Sequence, residues 1–477
     1  MIRTFARDAL VYGAATVLTR ATSLIVVPIY TRFLSPADYG VIDLLTIAGN
    51  LILLTVALEI SQAVARFLPE SHDADKVAVA STALVFAVGA YALFGIVGLL
   101  AAPEINMLFL DGAASELTVR LAVVGTCLNG IFQLTSGVLR FQLRASRFAI
   151  ASLSSSLIAI VVGVVLVAVA NAGVDGFFVG QILGGIVGVA MTLTFSRNLY
   201  RPTFHAARLR SMLRFSAPLV PSSIGVFVFL FVDRLAISQF MSVADVGVFG
   251  VGYRLASAVT LLSFGAQMAV TPLVYARHAE ADTPIALERI FRYYVGGAAM
   301  LGLGLSLFAP EILSLLTTPS YYGAAAVVPL LVAALILANL YVFMPGLGIA
   351  KRTSTFAIIN LSGGLLNVAL NVLFIPLMGI AGAAFATLVS AGAIFSAYAA
   401  ASQKLYPVPH RWNRLASAVV AVTVVYVVVS RFDFDLVPGL ALKVGGMLVA
   451  LIAIARLGLL PRASRVAVSP AAGGRQR

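Results

Sequence analysis

Eight residues have side chains that do not suit their surroundings: Arg20, Asp43, Glu59, Gln62, Arg66, Asp233, Arg234 and Arg254 each interrupt a long apolar run. A guanidinium is planar, stays charged and can give two parallel hydrogen bonds to phosphate oxygens. Arg20, Arg66, Arg234 and Arg254 are therefore candidates for holding an anionic group such as phosphate, with Gln62 as a neutral polar contact beside them. A carboxylate can carry a proton or pair with an arginine, which gives Glu59, Asp233 and Asp43 a coupling or salt-bridge role. Arg20 with Glu59 and Asp233 with Arg254 could pair, and the alternative to a functional role is that these pairs are purely structural salt bridges between helices. Glu59, Gln62 and Arg66 stand at i, i+3 and i+7, the spacing of one polar stripe on a helix. Arg234 is turned about 100° from Asp233 around a helix axis, which makes it the freer charge.

Other chemistry has less to build on. Cys127, the single cysteine, lies in an apolar run and reads as packing, so neither a disulfide framework nor a cysteine metal site is expected. His72, His205, His278 and His410 fall between apolar runs and read as solvated loop residues. Asn360, Asn367 and Asn371 share one helical face, and Asn129 with Gln133 share another; amides at this spacing read as hydrogen-bond glue between helices.

The elements that must position these side chains follow from composition. Of 477 residues 61% are hydrophobic and 11% charged, so the solvent of this chain is a bilayer. A spanning helix needs roughly 20 mostly apolar residues. Such stretches lie near 9–31, 41–65, 77–101, 117–138, 148–170, 174–195, 216–238, 246–270, 291–315, 324–348, 355–375, 379–400, 414–430 and 437–456. Arg20 interrupts the first run and no small-residue cleavage site follows it, so the first span is expected to be retained.

The formal charge of +13 raises the question of nucleic acid, and its distribution answers no. About 25 of the 32 Lys and Arg fall on one side of the predicted spans, whereas Arg32 and Arg431 lie in the opposite loops. This asymmetry is the positive-inside pattern and places both termini in the cytoplasm of a cytoplasmic (inner) membrane protein. The basic segments 196–213, 271–290 and 401–413 are long enough to meet anionic lipid headgroups.

The chain also repeats itself. Phe33-Leu34-Ser35-Pro36-Ala37-Asp38-Tyr39-Gly40-Val41 corresponds to Phe240-Met241-Ser242-Val243-Ala244-Asp245-Val246-Gly247-Val248, 207 positions later. Phe148-Ala149-Ile150 recurs as Phe356-Ala357-Ile358, and Gly173-Val174-Asp175-Gly176 as Gly379-Ile380-Ala381-Gly382, at nearly the same offset. The Ser and Asp of the first match suit a helix N-cap. Six spans per copy is an even number, so the copies should be related by a pseudo-twofold axis along the membrane normal. The expected fold is thus all-α and polytopic: an N-lobe over 1–205, a C-lobe over 206–405, and two appended helices with a basic tail over 406–477. Every deep charge lies on spans 1, 2, 7 or 8, the pairs that the repeat equates, yet the charges themselves do not repeat. Charge added to a repeated frame points to handling of a substrate in a cleft between the lobes. Arg120 and Lys443 lie nearer span ends, where they can snorkel.

The stretch Tyr12-Gly13 with Arg20, then Val27-Pro28-Ile29-Tyr30-Thr31-Arg32 running into the motif above, and later Ala65-Arg66-Phe67-Leu68-Pro69-Glu70, resembles the polysaccharide transporter (Wzx-like flippase) family of the multidrug/oligosaccharidyl-lipid/polysaccharide exporter superfamily. The resemblance implies a flippase that carries an undecaprenyl-diphosphate-linked oligosaccharide across the membrane by alternating access. It implies no cofactor beyond coupling to H+ or Na+. Membrane lipids, a polysaccharide polymerase and glycosyltransferases are its expected partners. Arg20 matches the family's first-span arginine, whereas Glu59 stands where relatives often carry a small residue. The alternatives are a cation-coupled multidrug exporter, whose cavity should favour carboxylates, and a membrane-embedded glycosyltransferase or polymer ligase, which should show paired carboxylates or a large catalytic loop.

Overall fold

The computed structural model describes residues 26–142, 144–350, 352–432 and 436–460, and Arg20 lies outside the described residues. The described residues hold helices and no strand. Among the described residues eleven helices are long and apolar enough to cross a membrane, thirteen when two bent pairs are each counted as one span. With the end of the first span, helical over 26–33 (α1), the chain is a polytopic membrane protein of about fourteen helices.

The first lobe contains α2 (Pro36–Thr55), α3 (Ile60–Glu70), α4 (Asp73–Leu100), α5 (Ala102–Leu110), α6 (Glu116–Phe141), α7 (Ala145–Ala168) and α8 (Gly173–Phe195). A short α9 (Ala206–Ser216) leads to the second lobe. That lobe contains α10 (Val220–Phe240), α11 (Val243–Ser257), α12 (Thr260–Arg277), α13 (Thr283–Leu307), α14 (Ala309–Leu316), α15 (Val328–Asn339), α16 (Gly346–Ile349), α17 (Thr353–Met378) and α18 (Ile380–Leu405). The two appended helices, α19 (Trp412–Val429) and α20 (Leu436–Arg456), pack on each other and on α13. Lys443 and Glu311 tie α20 to α14, and Arg120 pairs with Glu116 one turn back, so both of these cations have a carboxylate partner.

The repeated motif does its work twice. The Asp38 N–H donates to Ser35 Oγ while the Ser35 N–H donates to Asp38 Oδ2, a reciprocal box that starts α2. Ser242 likewise accepts from the Asp245 N–H and starts α11. The second matched pair behaves alike: Gly173 and Gly379, at the starts of α8 and α18, take φ of +54° and +61°, a region that a residue without a Cβ enters freely.

Capping is only half of what the motif does. Its glycines let α2 and α11 lie against each other across the two lobes. A Cβ on Gly40 would sit 1.8 Å from the Val243 carbonyl oxygen, and one on Gly247 would sit 2.0 Å from the Pro36 carbonyl oxygen. At the same end the Tyr321 hydroxyl donates to the Leu34 carbonyl at 2.8 Å, and the Tyr39 and Tyr321 rings meet edge to face. The lobes are therefore closed at the end where spans 2 and 8 begin.

Both seam helices then break. Span 2 stops at Thr55 and resumes at Ile60, with Leu58 and Glu59 in left-handed backbone at φ +50° and +53°. Span 8 bends by 42° between Ser257 and Thr260. A non-glycine residue held left-handed costs roughly 1–3 kcal/mol, so two in succession are a substantial local strain. The freed donors are not left bare: the N–H groups of Leu58, Ile60 and Gln62 donate to carbonyls three residues back. The sequence predicts an unbroken span 2 with Glu59, Gln62 and Arg66 on one stripe. The break removes Glu59 from that helical register, and only Gln62 and Arg66, one turn apart on α3, keep a common exposed face.

Candidate functional site

A cavity of about 660 Å³ runs through the first lobe, within the size range of small-molecule sites. One wall is a face of α6, where Thr126, Asn129, Gln133, Ser136 and Arg140 recur at helical spacing. Asn50 from α2, Ser152, Ser155 and Ser156 from α7, and Gln181 from α8 complete a polar lining, and Tyr30, Phe132, Phe148 and Phe177 add aromatic rings. Among the described residues two charged ones line it, Arg140 from α6 and Arg254 from α11 of the other lobe, and no carboxylate does. Asn129 and Gln133, expected as glue between helices, thus face a cavity. Uncharged amides and hydroxyls suit the hydroxyls of a sugar, and the arginines suit phosphate.

Arg254 is held in place from the first lobe. Its Nη2 lies 2.5 Å from Asp43 Oδ1, and its guanidinium carbon lies 4.6 Å from the centre of the Tyr39 ring. Arg254 Nη1 has no hydrogen-bond partner among the described residues. That donor is buried in the crossing of α2 and α11, so it can take an anion oxygen once the seam around it opens, while Asp43 fixes the rest of the guanidinium. The expected partner of Arg254 was Asp233, and the structure replaces it with Asp43. The reason is the close crossing of α2 and α11: Gly250 would place a Cβ 2.0 Å from Asp43 Oδ2, so the missing side chain is what admits the carboxylate.

Asp233 lies elsewhere, only 2% exposed, between α10, α17 and α18. Asn371 Nδ2 donates to Asp233 Oδ1 at 2.7 Å, and Thr387 Oγ1 donates to Asp233 Oδ2 at 2.7 Å. Asn371 Nδ2 also reaches Asn367 Oδ1 at 3.0 Å, while Asn371 Oδ1 and Asn367 Nδ2 are buried without partners among the described residues. Of the three amides expected to share a face of α17, two thus converge on a carboxylate. Charge, amide oxygens and a hydroxyl gathered in one buried place form a set that suits a hard cation or a proton.

Arg234, the expected free charge, is enclosed instead. It is 5% exposed, its guanidinium carbon lies 4.1 Å from the Tyr253 ring centre and 5.5 Å from that of Phe249, and Nη1 donates to the Leu230 carbonyl. Aromatic faces can hold a cation where no carboxylate is at hand. Turning a residue away from Asp233 around the helix axis pointed it into the seam between α10 and α11 rather than into open space. Glu59 accepts a hydrogen bond from Ser223 Oγ at 2.5 Å, a further contact between the lobes. Arg66 stacks on Phe215 at 4.5 Å, with its side chain exposed. Of the expected site, then, Asp43 and Arg254 come together, Glu59 with Gln62 and Arg66 stay near the break, and Asp233 and Arg234 occupy separate places. Arg140, Asn50, Gln181 and Thr387 were not singled out in the sequence. Arg140 resembled a topology marker, and the others are lone polar residues in apolar helices, the only signal that could have found them.

Comparison with known proteins follows the same lines. Residues 29–280 match the family described as polysaccharide biosynthesis protein. The chain is 26% identical over 393 residues to a protein of Haloferax volcanii named probable flippase AglR, covering 78% of this chain and 79% of that one. Among solved structures it is similar to the lipid II flippase MurJ in an inward closed conformation, with a TM-score of 0.75 and 15% identity, over 93% of this chain and 98% of the other. A multidrug resistance MATE family transporter in an inward-facing conformation matches with a TM-score of 0.67 and 17% identity, over 83% and 98%. At these identities the two structures speak for a shared fold.

Proposed function

Because the chain belongs to the polysaccharide biosynthesis protein family, we propose that it is a flippase moving a lipid-linked oligosaccharide across the cytoplasmic membrane, with undecaprenyl diphosphate as the carrier. The observation that carries this reading is the cavity lining, which among the described residues holds two arginines, several amides and hydroxyls, aromatic rings and no carboxylate. That lining suits a sugar diphosphate and would repel the organic cations that a multidrug exporter takes up. The reading also accords with the name of the Haloferax relative.

Alternating access is the mechanism the lobes suggest. The seam at Gly40 and Gly247 closes one end of the cleft, and parting it exposes the other face of the cavity. In this reading the glycan and diphosphate occupy the first lobe, Arg254 and Arg140 hold the anion, and the lipid tail stays in the bilayer. Asp233 carries the coupling charge by taking up H+ or Na+ among the oxygens of Asn367, Asn371 and Thr387. The lobes correspond to 1–205 and 206–405, both termini lie in the cytoplasm with the basic loops, and glycosyltransferases and a polymerase act before and after the transfer.

The test is flipping of a fluorescent undecaprenyl-diphosphate oligosaccharide in proteoliposomes, with an organic cation as competitor. Inward loss of label accessibility with the wild-type chain, insensitive to the cation, is expected. Absence of flipping together with uptake of the cation would reassign the chain to drug export, and formation of a glycosidic bond would reassign it to an enzyme.

A further inference from the structure

The basic end of the appended helices holds a feature that transport through the cavity does not use. His410, in the loop before α19, is 8% exposed, packed between the rings of Phe291 at 4.5 Å and Trp412 at 5.1 Å. Both of its ring nitrogens are buried without a partner among the described residues, and His410 belongs to the lining of a shallow depression formed with Arg411, Trp412, Asn413 and Arg414. A buried imidazole with nothing to bond is costly unless something arrives to bond it. The sequence reading of His410 as a solvated loop residue fails because the loop folds in under α13 and is covered by Phe291.

The groups around the depression share one preference. Arg411 is the N-cap of α19 and offers no side-chain cap, so the first-turn N–H groups of Trp412 and Asn413 remain available at the positive end of an 18-residue helix. No acidic residue occupies that first turn. Glu288 of α13 lies 3.6 Å from Arg292 Nε and 4.0 Å from Arg411 Nε, so one carboxylate faces two guanidiniums. Arg414 and Arg292 each bring a guanidinium nitrogen within 4.0 Å of the point where a Cβ on Gly458 would sit, beside the C-terminal end of α20. The partial negative charge of that helix end offsets part of theirs. Arg411 and the helix N-terminus still leave an excess of positive charge.

We propose that this depression is a binding site for the phosphate of an anionic phospholipid, which fastens the two appended helices to α13. His410 gives its N–H to a phosphate oxygen, the α19 N-terminus and the Arg411 and Arg414 guanidiniums give theirs, and the headgroup supplies the partner that the His410 ring lacks. A lipid fits better than a soluble anion for two reasons. Trp412 stands 41% exposed at the start of α19, as an aromatic anchor at a membrane interface does. Below it α19 presents Val419, Val420, Val424 and Val427, each 44% exposed or more, as a surface for an acyl chain. The site stands apart from the cavity and does not depend on what the cavity carries.

Full-length protein, delipidated in detergent, is mixed with phosphatidylglycerol or phosphatidylcholine, and retained lipid is counted by native mass spectrometry. Inorganic phosphate is the third arm, read by the thermal-denaturation midpoint. Retention of phosphatidylglycerol over phosphatidylcholine is expected, with roughly tenfold weaker retention in Arg411→Gln/Arg414→Gln, the worth of one charge-assisted hydrogen bond. His410→Phe, which keeps the ring stack and removes the N–H, should weaken retention without changing elution in size exclusion. Arg431→Gln, at the other end of α19, should retain lipid as the wild type does. Equal retention of the two lipids, or unchanged retention in the variants, overturns the proposal. A midpoint raised as much by inorganic phosphate as by phosphatidylglycerol overturns the assignment to a lipid.

Discussion

Gly40 and Gly247 make the same contact in opposite directions: each lies beneath the carbonyl oxygen four residues before the other, Gly40 against Val243 and Gly247 against Pro36. Both pairs are 207 positions apart in the chain, so this is one contact seen twice around the axis that relates the lobes. No side chain fits at either place while the seam is closed. The glycines thus make the closed arrangement possible, and substitution there should act on the equilibrium between states.

Replacing Gly40 by Ala should part the seam. A Cβ 1.8 Å from a backbone oxygen cannot be accommodated by rotating a side chain, and overpacking of this kind costs roughly 1–3 kcal/mol. Since an alternate state in which the lobes have separated avoids the clash, its population should rise. Ala37→Cys and Ala244→Cys, placed on either side of the seam in a Cys127→Ser background, report the change through a short bifunctional cross-linker. Cross-linking should fall severalfold in Gly40→Ala with normal amounts of protein in the membrane. Undiminished cross-linking would mean that α2 and α11 slide past each other instead.

Arg254 separates a structural salt bridge from a substrate contact. If it serves only Asp43, then exchanging the charges as Asp43→Arg/Arg254→Asp should restore whatever Arg254→Ala loses. If its free Nη1 holds the diphosphate, the exchanged pair should fold while flipping stays down about tenfold or more, because a charge-assisted hydrogen bond is worth roughly 1.5–3 kcal/mol. Flipping rate and thermal midpoint measured on the same preparations distinguish the two outcomes. Arg254→Lys should recover part of the rate, since it keeps the charge and loses the fork.

The sequence makes the frame legible and the pairings illegible, and the residues show why. Hydropathy finds the spans because each must be apolar for its whole length, and Ser35 and Asp38 are found because capping acts within four residues. Asp43 with Arg254 and Asp233 with Asn371 depend on how helices far apart in sequence cross, and spacing along one chain cannot supply that. The break at Leu58 and Glu59 carries neither Pro nor Gly, the residues by which a break is normally read. The cavity escaped for another reason: its polar residues are spread over α2, α6, α7, α8 and α11, and that the polar face of α6 meets the others depends on how the five helices pack.

Asp233→Asn should uncouple transport from the ion while leaving the pocket filled. The substitution keeps size, removes one charge and turns one acceptor into a donor: Asn371 still donates to the amide oxygen, and Thr387 Oγ1 accepts from the new N–H while it donates to the Ala383 carbonyl. In proteoliposomes with an imposed Na+ or H+ gradient, the wild-type rate should respond to one of the two. The variant should lose that response, with binding of lipid-linked sugar to detergent-solubilised protein changed less than about twofold, since the two sites share no contact. A variant with the same gradient response would move the coupling charge away from Asp233, with Glu59 the next carboxylate to test.

Acid should loosen the appended helices through His410. Burial between Phe291 and Trp412 lowers its pKa from 6.5 to about 4, and the guanidiniums of Arg411, Arg414 and Arg292 together with the Glu288 carboxylate are the charged groups around it. An unfolded chain binds the proton near 6.5 and the folded one only near about 4, so between these values unfolding takes up a proton. Stability due to the neutral imidazole is therefore complete above 6.5 and is lost progressively as pH falls toward about 4, by on the order of 3 kcal/mol in total. His410→Phe keeps the stack and has no proton to take up. Thermal midpoints measured at about pH 7.5 and about pH 5 should fall further for the wild type than for the variant, because the linkage runs through this ring alone in the comparison. Equal falls would mean that His410 opens to solvent before the helices part, and that the ring is not what fastens α19 to α13.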